Sequence, residues 1–312
     1  MEIKNLYVMS DTHDDVEAVN AAVDFAASQG LKNSRLVHCG DFSLRPYSLE
    51  DLRALARTRD VNAFKTAKKR TNNQTLNEMK RIFDTSEIPY TVVPGNYDGD
   101  LDDIFGEANI HLRTAQFGNL RVAGYGGADA NPPHIELLEE MGEITRFDHG
   151  ELYRHLMKTN PTIAIIHNPP QGLCDDMYNG KNAGTPATTK YIVENGGIKL
   201  VLSGHIHEAG PNANNPDGIF GLAQAKRSQN GEVITVINPG NLGRFELIHP
   251  RTLDTIRTFD YGTFVRVDVK DDGTPAHLTQ YTVQKEGRRI GDVREIRSMN
   301  LCNANDTQKI ID

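Results

Sequence analysis

Short, uninterrupted apolar runs alternate along this chain with segments that repeat apolar residues at helical spacing. Continuous apolar runs of this length are typical of strands that are covered on both faces of a sheet. We predict such strands at residues 6–9, 36–39, 90–93, 120–123, 162–166, 200–202 and 233–237. Helices are predicted between strands at 14–29 and 185–195, an order that implies parallel strands joined by crossover connections. The pattern indicates an α/β fold.

Two polar segments interrupt this alternation. Residues 43–88 are polar and prone to form helix, and we expect one or two surface helices there. Residues 130–160 are predicted to form a loop followed by a helix, with Leu152, Leu156 and Met157 on one face. The first segment is predicted to be a helical insertion into an otherwise regular α/β unit.

The pattern changes again toward the end of the chain. Residues 264–269 and 277–283 are predicted to form antiparallel strands, because the turn signal Asp271–Asp272–Gly273 lies between them. From Gln284 onward the chain is polar with weak periodicity, and we expect a last helix or partial disorder. The predicted units are a main domain at 1–284, the helical insertion within it at about 43–88, and a C-terminal extension at 285–312.

Composition excludes several classes of protein. The 312 residues are 38% hydrophobic and 24% charged, which is typical of a globular protein. A net charge of −8 does not suit a general nucleic-acid-binding surface. Cys39, Cys174 and Cys302 are too few and too widely spaced for a disulfide framework or a cysteine zinc site. No apolar segment reaches the roughly 18 residues of a membrane span, so we expect a cytoplasmic protein with no membrane partner.

Candidate ligands for a metal stand where the predicted strands end. In open α/β sheets, ligands bind beyond the carboxyl ends of the strands, so residues distant in sequence converge there. Five of the apolar runs end in such residues, namely Asp11 and His13, Asp41, Asn96, His167, and His205 with His207. The last two are separated by one residue and can face the same side in extended backbone. Together these residues predict a metal site at one edge of the sheet.

The same residues carry a family resemblance. Taken in order, they form the motifs Asp11-x-His13, Gly40–Asp41, Gly95–Asn96, His167 and Gly204–His205-x-His207. This series, spread over roughly residues 6–245, resembles the calcineurin-like metallophosphoesterases. Two further stretches resemble the small prokaryotic-type phosphodiesterase branch, His167–Asn168–Pro169–Pro170-x-Gly172 and Asn238–Pro239–Gly240. The resemblance implies a four-layer α/β/β/α sandwich with two facing sheets, in which the late antiparallel strands belong to the same domain.

The resemblance also implies a site for two divalent ions. It assigns one ion to Asp11, His13, Asp41 and His207. The second ion is assigned to Asp41, Asn96, His167 and His205, so that Asp41 bridges the two. Nitrogen and oxygen ligands together favour transition metals. We expect manganese first, with iron, zinc, nickel or cobalt as alternatives.

This ligand set predicts hydrolysis of a phosphate ester. Two divalent ions bring four positive charges, of which two carboxylates offset two and a bridging hydroxide offsets one. The remaining charge of about +1 suits the single negative charge of a phosphodiester. The hydroxide would attack phosphorus in line. The predicted catalytic residues are Asp41, Asn96, Tyr97, Asp98 and His205. Many members of the family have histidine where this chain has Tyr97, and a phenol is a weaker acid than imidazolium. This departure favours phosphodiesters, or substrates with good leaving groups.

Three alternatives stay open at this point. A phosphomonoesterase would use the same metals. A non-catalytic interaction protein could have the same fold, although degraded ligands would then be expected and all seven are intact. A nuclease would need a DNA-facing domain and a less acidic chain. We therefore expect a small phosphate ester as the substrate and nucleic acid only as a nucleotide; the oligomeric state stays open.

Overall fold

The structure is a computed structural model of the whole chain. It describes residues 4–43, 49–99, 101–129, 144–177, 180–194, 197–207, 221–227, 230–244, 246–248, 254–258, 262–286, 289–303 and 308–311.

Fifteen strands and six α-helices make up the described part of the chain. The strands are β1 (Lys4–Met9), β2 (Ser34–His38), β3 (Tyr90–Val92), β4 (Thr114–Phe117), β5 (Leu120–Tyr125), β6 (Ile163–Ile166), β7 (Leu200–Leu202), β8 (Leu222–Arg227), β9 (Val233–Ile237), β10 (Glu246–Ile248), β11 (Thr255–Thr258), β12 (Gly262–Val269), β13 (Pro275–Glu286), β14 (Arg289–Asn300) and β15 (Gln308–Ile311). The helices are α1 (Val16–Ser28), α2 (Leu49–Thr58), α3 (Val61–Thr85), α4 (Asp102–Phe105), α5 (His149–Thr159) and α6 (Pro186–Glu194). None of these helices is long and apolar enough to cross a membrane.

The strands form two mixed sheets. The six-stranded sheet has the order β14–β13–β12–β1–β2–β3, and the seven-stranded sheet has the order β15–β8–β9–β7–β6–β5–β4. Within them, β1, β2 and β3 run parallel, as do β5, β6, β7 and β9. A separate ribbon is made by β10 and β11. The carboxyl ends of the central parallel strands therefore meet at one edge of each sheet.

Alternation along β1 shows how the layers are stacked. Leu6 and Val8 point into an apolar cluster shared by both sheets, together with Ile163 and Ile165 of β6. Tyr7 points the other way, into a cluster with α1 and α3. Residues of β6 that face away from the shared cluster pack against α5 and α6 instead. Helix, sheet, sheet and helix follow in that order, which confirms the predicted four-layer sandwich.

The predicted helices are present with small differences in their ends. Asp15 caps α1, its carboxylate accepting a hydrogen bond from the backbone N–H of Ala18 at 3.2 Å. The polar segment 43–88, for which one or two surface helices are expected, contains two helices, α2 and α3. On α5, Leu152 is buried as predicted but Met157 is 47% exposed. Met157 lies five positions after Leu152, a rotation that takes it out of the buried stripe.

The C-terminal stretch differs from the sequence-based expectation. Its described residues include strand β14, which pairs with β13 in the six-stranded sheet, so a strand stands at Arg289–Asn300 where a last helix was one expectation. Between the pairs Gln280–Arg297 and Tyr281–Glu295 the register shifts, so Ile296 is an extra residue in a β-bulge. The bulge reverses which side of the strand faces inward, and this break in the period of two explains the weak periodicity of the sequence.

Replacement of Ile165 by alanine tests the shared apolar cluster. Ile165 is fully buried between the two sheets, and Ile165→Ala should lower the free energy of unfolding by about 2–5 kcal/mol through lost burial and a cavity. The matched control is Ile296→Ala, whose side chain is 42% exposed and should change stability by less than about 0.5 kcal/mol. Urea unfolding monitored by circular dichroism measures both. Equal losses for the two variants would contradict the layered core.

Candidate metal centre

Five loops converge at the carboxyl-end edge of the two sheets. They follow β1, β2 and β3 in one sheet and β6 and β7 in the other. All seven ligands predicted from the sequence lie in these loops. His205 and His207 are half-buried at the rim, and the other five are buried, namely Asp11, His13, Asp41, Asn96 and His167. The packing of one sheet on the other is therefore what brings the two sets of loops together.

One group of four side chains has the geometry of a metal site. One ligand atom from each of Asp11, His13, Asp41 and His207 lies within 4.8 Å of every other. The Nε2 atoms of His13 and His207 are 3.0 Å apart, and the His207 Nε2 lies 3.2 Å from Asp11 Oδ1. Imidazole nitrogens that face each other beside carboxylates form a donor set that fits a divalent transition metal.

A second group lies on the other side of Asp41. The Nε2 of His167 is 3.1 Å from Asn96 Oδ1 and 3.5 Å from Asp41 Oδ2. The ring centroid of His205 lies 5.3 Å from that of His167. On its far side, His167 Nδ1 donates to the backbone carbonyl of Cys39 at 2.7 Å, which aims Nε2 at the carboxylate and the amide oxygen. Asp41 thus borders both groups.

The electrostatics of the cluster favour a cation. Burial raises the pKa of Asp11, but the hydrogen bond and charge of His207 outweigh it and hold that pKa well below its usual range. Burial lowers the pKa of His13 to about 4 and that of His205 to about 3, so both rings are neutral at pH 7. For His167 burial is outweighed by Asp41, and the pKa rises to about 9. The buried carboxylates thus attract positive charge while two neutral imidazoles stand ready as ligands.

Left-handed backbone turns the ligands toward each other. Four of the predicted ligands have positive φ angles, Asp11 at 52°, His13 at 45°, Asp41 at 57° and His205 at 68°. Non-glycine residues are uncommon in this region, and such residues cluster at functional sites. Main-chain hydrogen bonds hold the turns, since Asp11 N–H donates to Gly40 C=O at 2.9 Å and Thr12 N–H to Asp41 C=O at 2.8 Å.

Two motif glycines allow the loops to approach closely. A Cβ atom on Gly95 would overlap the carboxylate of Asp41, and one on Gly204 would overlap the hydroxyl of Ser10. Glycine is needed at both places because another part of the site occupies the space of a side chain.

Tyr97 and Asp98 lie beside the cluster in different ways. The backbone N–H of Tyr97 donates to Asp41 Oδ1 at 2.8 Å, and its ring is 41% exposed at the rim with its centroid 6.5 Å from that of His13. Asp98 is fully buried and accepts backbone hydrogen bonds from Gly95 at 2.8 Å and Phe42 at 3.0 Å. Burial, followed by the nearby Asp41, raises the pKa of Asp98 to about 7.

Two further side chains support the ligand loops. Asn238 donates from Nδ2 to the backbone carbonyl of Gly204 at 2.8 Å, which ties the loop after β9 to the loop after β7. Arg244 forms an ion pair with Asp15, with Nη2 2.8 Å from Oδ1, directly after the first ligand loop. Sequence alone carries a signal for Asn238, which follows its strand as Asn96 follows β3, but none for the pairing of Asp15 with Arg244.

The chain is similar to one protein family in sequence and to solved structures of low identity. The sequence model of the calcineurin-like phosphoesterase family matches residues 4–209. A dimetal phosphatase from Danio rerio is 10% identical, with 95% of this chain and 98% of that chain covered and a TM-score of 0.52. The TT1561 protein of Thermus thermophilus is 19% identical over 82% of this chain and 98% of that chain, with a TM-score of 0.47. No curated protein sequence matches significantly. At 10% identity and a TM-score of 0.52, the similarity to the Danio rerio structure shows a shared fold.

Replacement of Gly95 by alanine tests the close approach at Asp41. The new Cβ would displace the Asp41 carboxylate, so Gly95→Ala should weaken Mn²⁺ binding by about tenfold or more and lower the melting temperature. Gly99→Ala is the matched control, because no heavy atom lies within 4 Å of a Cβ at that position. Calorimetric titration with Mn²⁺ and thermal unfolding measure the two effects. Wild-type affinity in Gly95→Ala would show that the carboxylate has room to move.

Proposed function

Since the chain belongs to the calcineurin-like phosphoesterase family, we propose that it is a metal-dependent hydrolase with phosphodiesters as its substrates. Family membership supports the broader class, a metal-dependent phosphoesterase. The observation that carries the proposal for this chain is the group Asp11, His13, Asp41 and His207, whose ligand atoms converge at the carboxyl ends of the sandwich strands.

We propose two divalent ions, manganese by preference, held as the motifs imply. Asp11, His13, Asp41 and His207 would hold the first. Asn96, His167 and His205 would hold the second together with Asp41. When bound, such ions supply positive charge to the phosphoryl oxygens and lower the pKa of a water molecule that serves as the nucleophile. The role of the chain is to fix these ligands in hydrogen-bonded positions away from bulk solvent.

Charge supports a phosphodiester as the substrate. Asp11 and Asp41, the carboxylates of the ligand group, would offset two of the four positive charges of two divalent ions, and the nucleophilic hydroxide would offset a third, which would leave about +1. The remaining positive charge suits an anion, in a protein whose net charge is −8. A diester with one negative charge matches this surplus more closely than a monoester with two.

Tyr97 supports the same preference. Its ring is exposed at the rim of the site while its backbone is fixed to Asp41, so a bound substrate can reach it. A phenol donates a hydrogen bond but is a poor proton donor at neutral pH. We assign Tyr97 to hydrogen bonding of the departing oxygen. Asp98, buried under the loops, acts by positioning Gly95 and Phe42 rather than by touching the substrate.

The cysteines support a cytoplasmic location as part of this proposal. Cys39, Cys174 and Cys302 form no disulfide with one another, and Cys302 is exposed. Reduced thiols persist in reducing compartments.

A substrate panel with Asp41→Asn tests the enzyme and its specificity. Supplied with Mn²⁺, the wild type should hydrolyse bis(p-nitrophenyl) phosphate faster than p-nitrophenyl phosphate, with cyclic nucleotides as a third arm. Asp41→Asn removes the carboxylate that borders both groups and should lower the rate about a hundredfold or more. The control Asp24→Asn changes an exposed carboxylate on α1 and should keep the wild-type rate. Faster hydrolysis of the monoester would establish the alternative, a phosphomonoesterase; equal rates in Asp41→Asn and the wild type would refute the site.

Tyr97→Phe tests the hydrogen bond to the leaving group. For diesters that release p-nitrophenoxide, kcat should change little, because that group departs without assistance. For diesters that release an alkoxide, kcat should fall by about 10–100-fold through loss of the phenol. Tyr153→Phe, on α5 with its hydroxyl bonded to Glu194, serves as the matched control. A uniform effect on both substrates would assign Tyr97 to binding instead.

A further inference from the structure

A buried histidine outside the ligand set lies directly under the candidate metal centre. His38 is the last residue of β2, three positions before Asp41, and is 1% exposed. The sequence pattern places it inside a strand, where a histidine is ordinarily part of the core. Its contacts are more specific than packing.

Both ring nitrogens of His38 have defined partners. The backbone N–H of Gly40 donates to Nδ1 at 3.1 Å. Because Nδ1 accepts, the proton of the neutral ring is on Nε2, which donates to Thr12 Oγ1 at 3.3 Å. The Thr12 hydroxyl in turn lies 3.3 Å from the backbone carbonyl of Phe42 and 3.4 Å from that of Asp41. A chain of hydrogen bonds therefore passes through the imidazole.

This chain of hydrogen bonds joins two ligand loops. Thr12 stands between Asp11 and His13, and Gly40 immediately precedes Asp41. All three of those neighbouring ligands have left-handed backbone, which needs external support to persist. His38 supplies such support from below, at the point where the two loops meet.

The ring of His38 is itself held firmly. It is stacked on Phe42 with ring centroids 3.6 Å apart and an angle of 16° between the planes. Burial lowers the pKa of His38 to about 3, so the ring is neutral and keeps the acceptor at Nδ1. An apolar ring could fill the same space and keep the stacking, but it would leave the Gly40 N–H and the Thr12 hydroxyl without these partners.

We propose that His38 is a positioning residue of the metal centre, which sets the loop carrying Asp11 and His13 against the loop carrying Asp41. The two hydrogen bonds of its ring hold these ligands at their mutual distances before an ion arrives. This inference rests on the metal site of the proposed function, but not on the identity of the substrate.

His38→Phe tests the proposal on the full chain with Mn²⁺ alone. The variant keeps an aromatic ring next to Phe42 and loses both hydrogen bonds, and Mn²⁺ affinity should fall about 10–100-fold in calorimetric titrations. His38→Asn should recover part of the affinity, because its amide oxygen can accept from Gly40. The matched control is Val269→Ala. The side chain of Val269 is fully buried at the end of β12, remote from the site, so this variant should lower stability and leave Mn²⁺ affinity unchanged.

Thr12→Val provides a second route if His38→Phe does not fold. It removes the hydroxyl at the other end of the bridge at nearly constant volume and should weaken Mn²⁺ binding in the same direction. The losses in His38→Phe and Thr12→Val should also be less than additive in the double variant, because they break the same hydrogen bond.

Two results would overturn the inference in distinguishable ways. Mn²⁺ affinity within about threefold of the wild type in His38→Phe, with stability lowered as in Val269→Ala, would make His38 an ordinary core residue and leave the proposed function intact. Absence of Mn²⁺ binding by the wild type would remove the metal site, and with it both the proposed function and the role of His38.

Discussion

The packing of two sheets through one apolar interior is the constraint on which the rest of the molecule depends. Leu6 and Val8 of one sheet and Ile163 and Ile165 of the other are buried in the same cluster. Because the central strands of both sheets run parallel, this packing brings five strand ends to a common edge. Asp11 and His207, which are 196 positions apart in the sequence, thereby come within 3.2 Å of each other.

The buried edge brings ionisable loop residues together away from bulk solvent. Desolvation on its own opposes the charge of Asp11 and Asp41, and histidines are the groups that compensate for it. A divalent cation would stabilise these buried negative charges more strongly than a proton does, since it can contact several ligands at once. The burial of these carboxylates is thus what would favour a divalent cation, and the hydrogen bonds of Asp98, Asn238 and His38 hold the loops around them.

Continuous apolar runs predicted the parallel strands well, because a strand that is buried on both faces is apolar at nearly every position. A strand with one buried face is recognised by apolar residues at every second position, and that signal is weaker where the alternation is interrupted. At β14 the bulge at Ile296 exchanges the two faces of the strand, so alternation could not reveal it. On α5, Met157 is apolar yet exposed. Its position along the helix, and not its apolar character, decides which way its side chain points.

Sequence by itself determined the seven candidate ligands, since each follows an apolar run, and with them the family resemblance and the layered fold. Tertiary structure alone decided how those ligands are held. It showed that Asp98 is buried under the loops, that Arg244 pairs with Asp15, and that His38 bridges two of the loops. Phe42 and Asp98, Asp15 and Arg244, and Thr12 and His38 are 56, 229 and 26 positions apart. No local pattern signals such contacts, because the packing of strands and loops decides which of these residues meet.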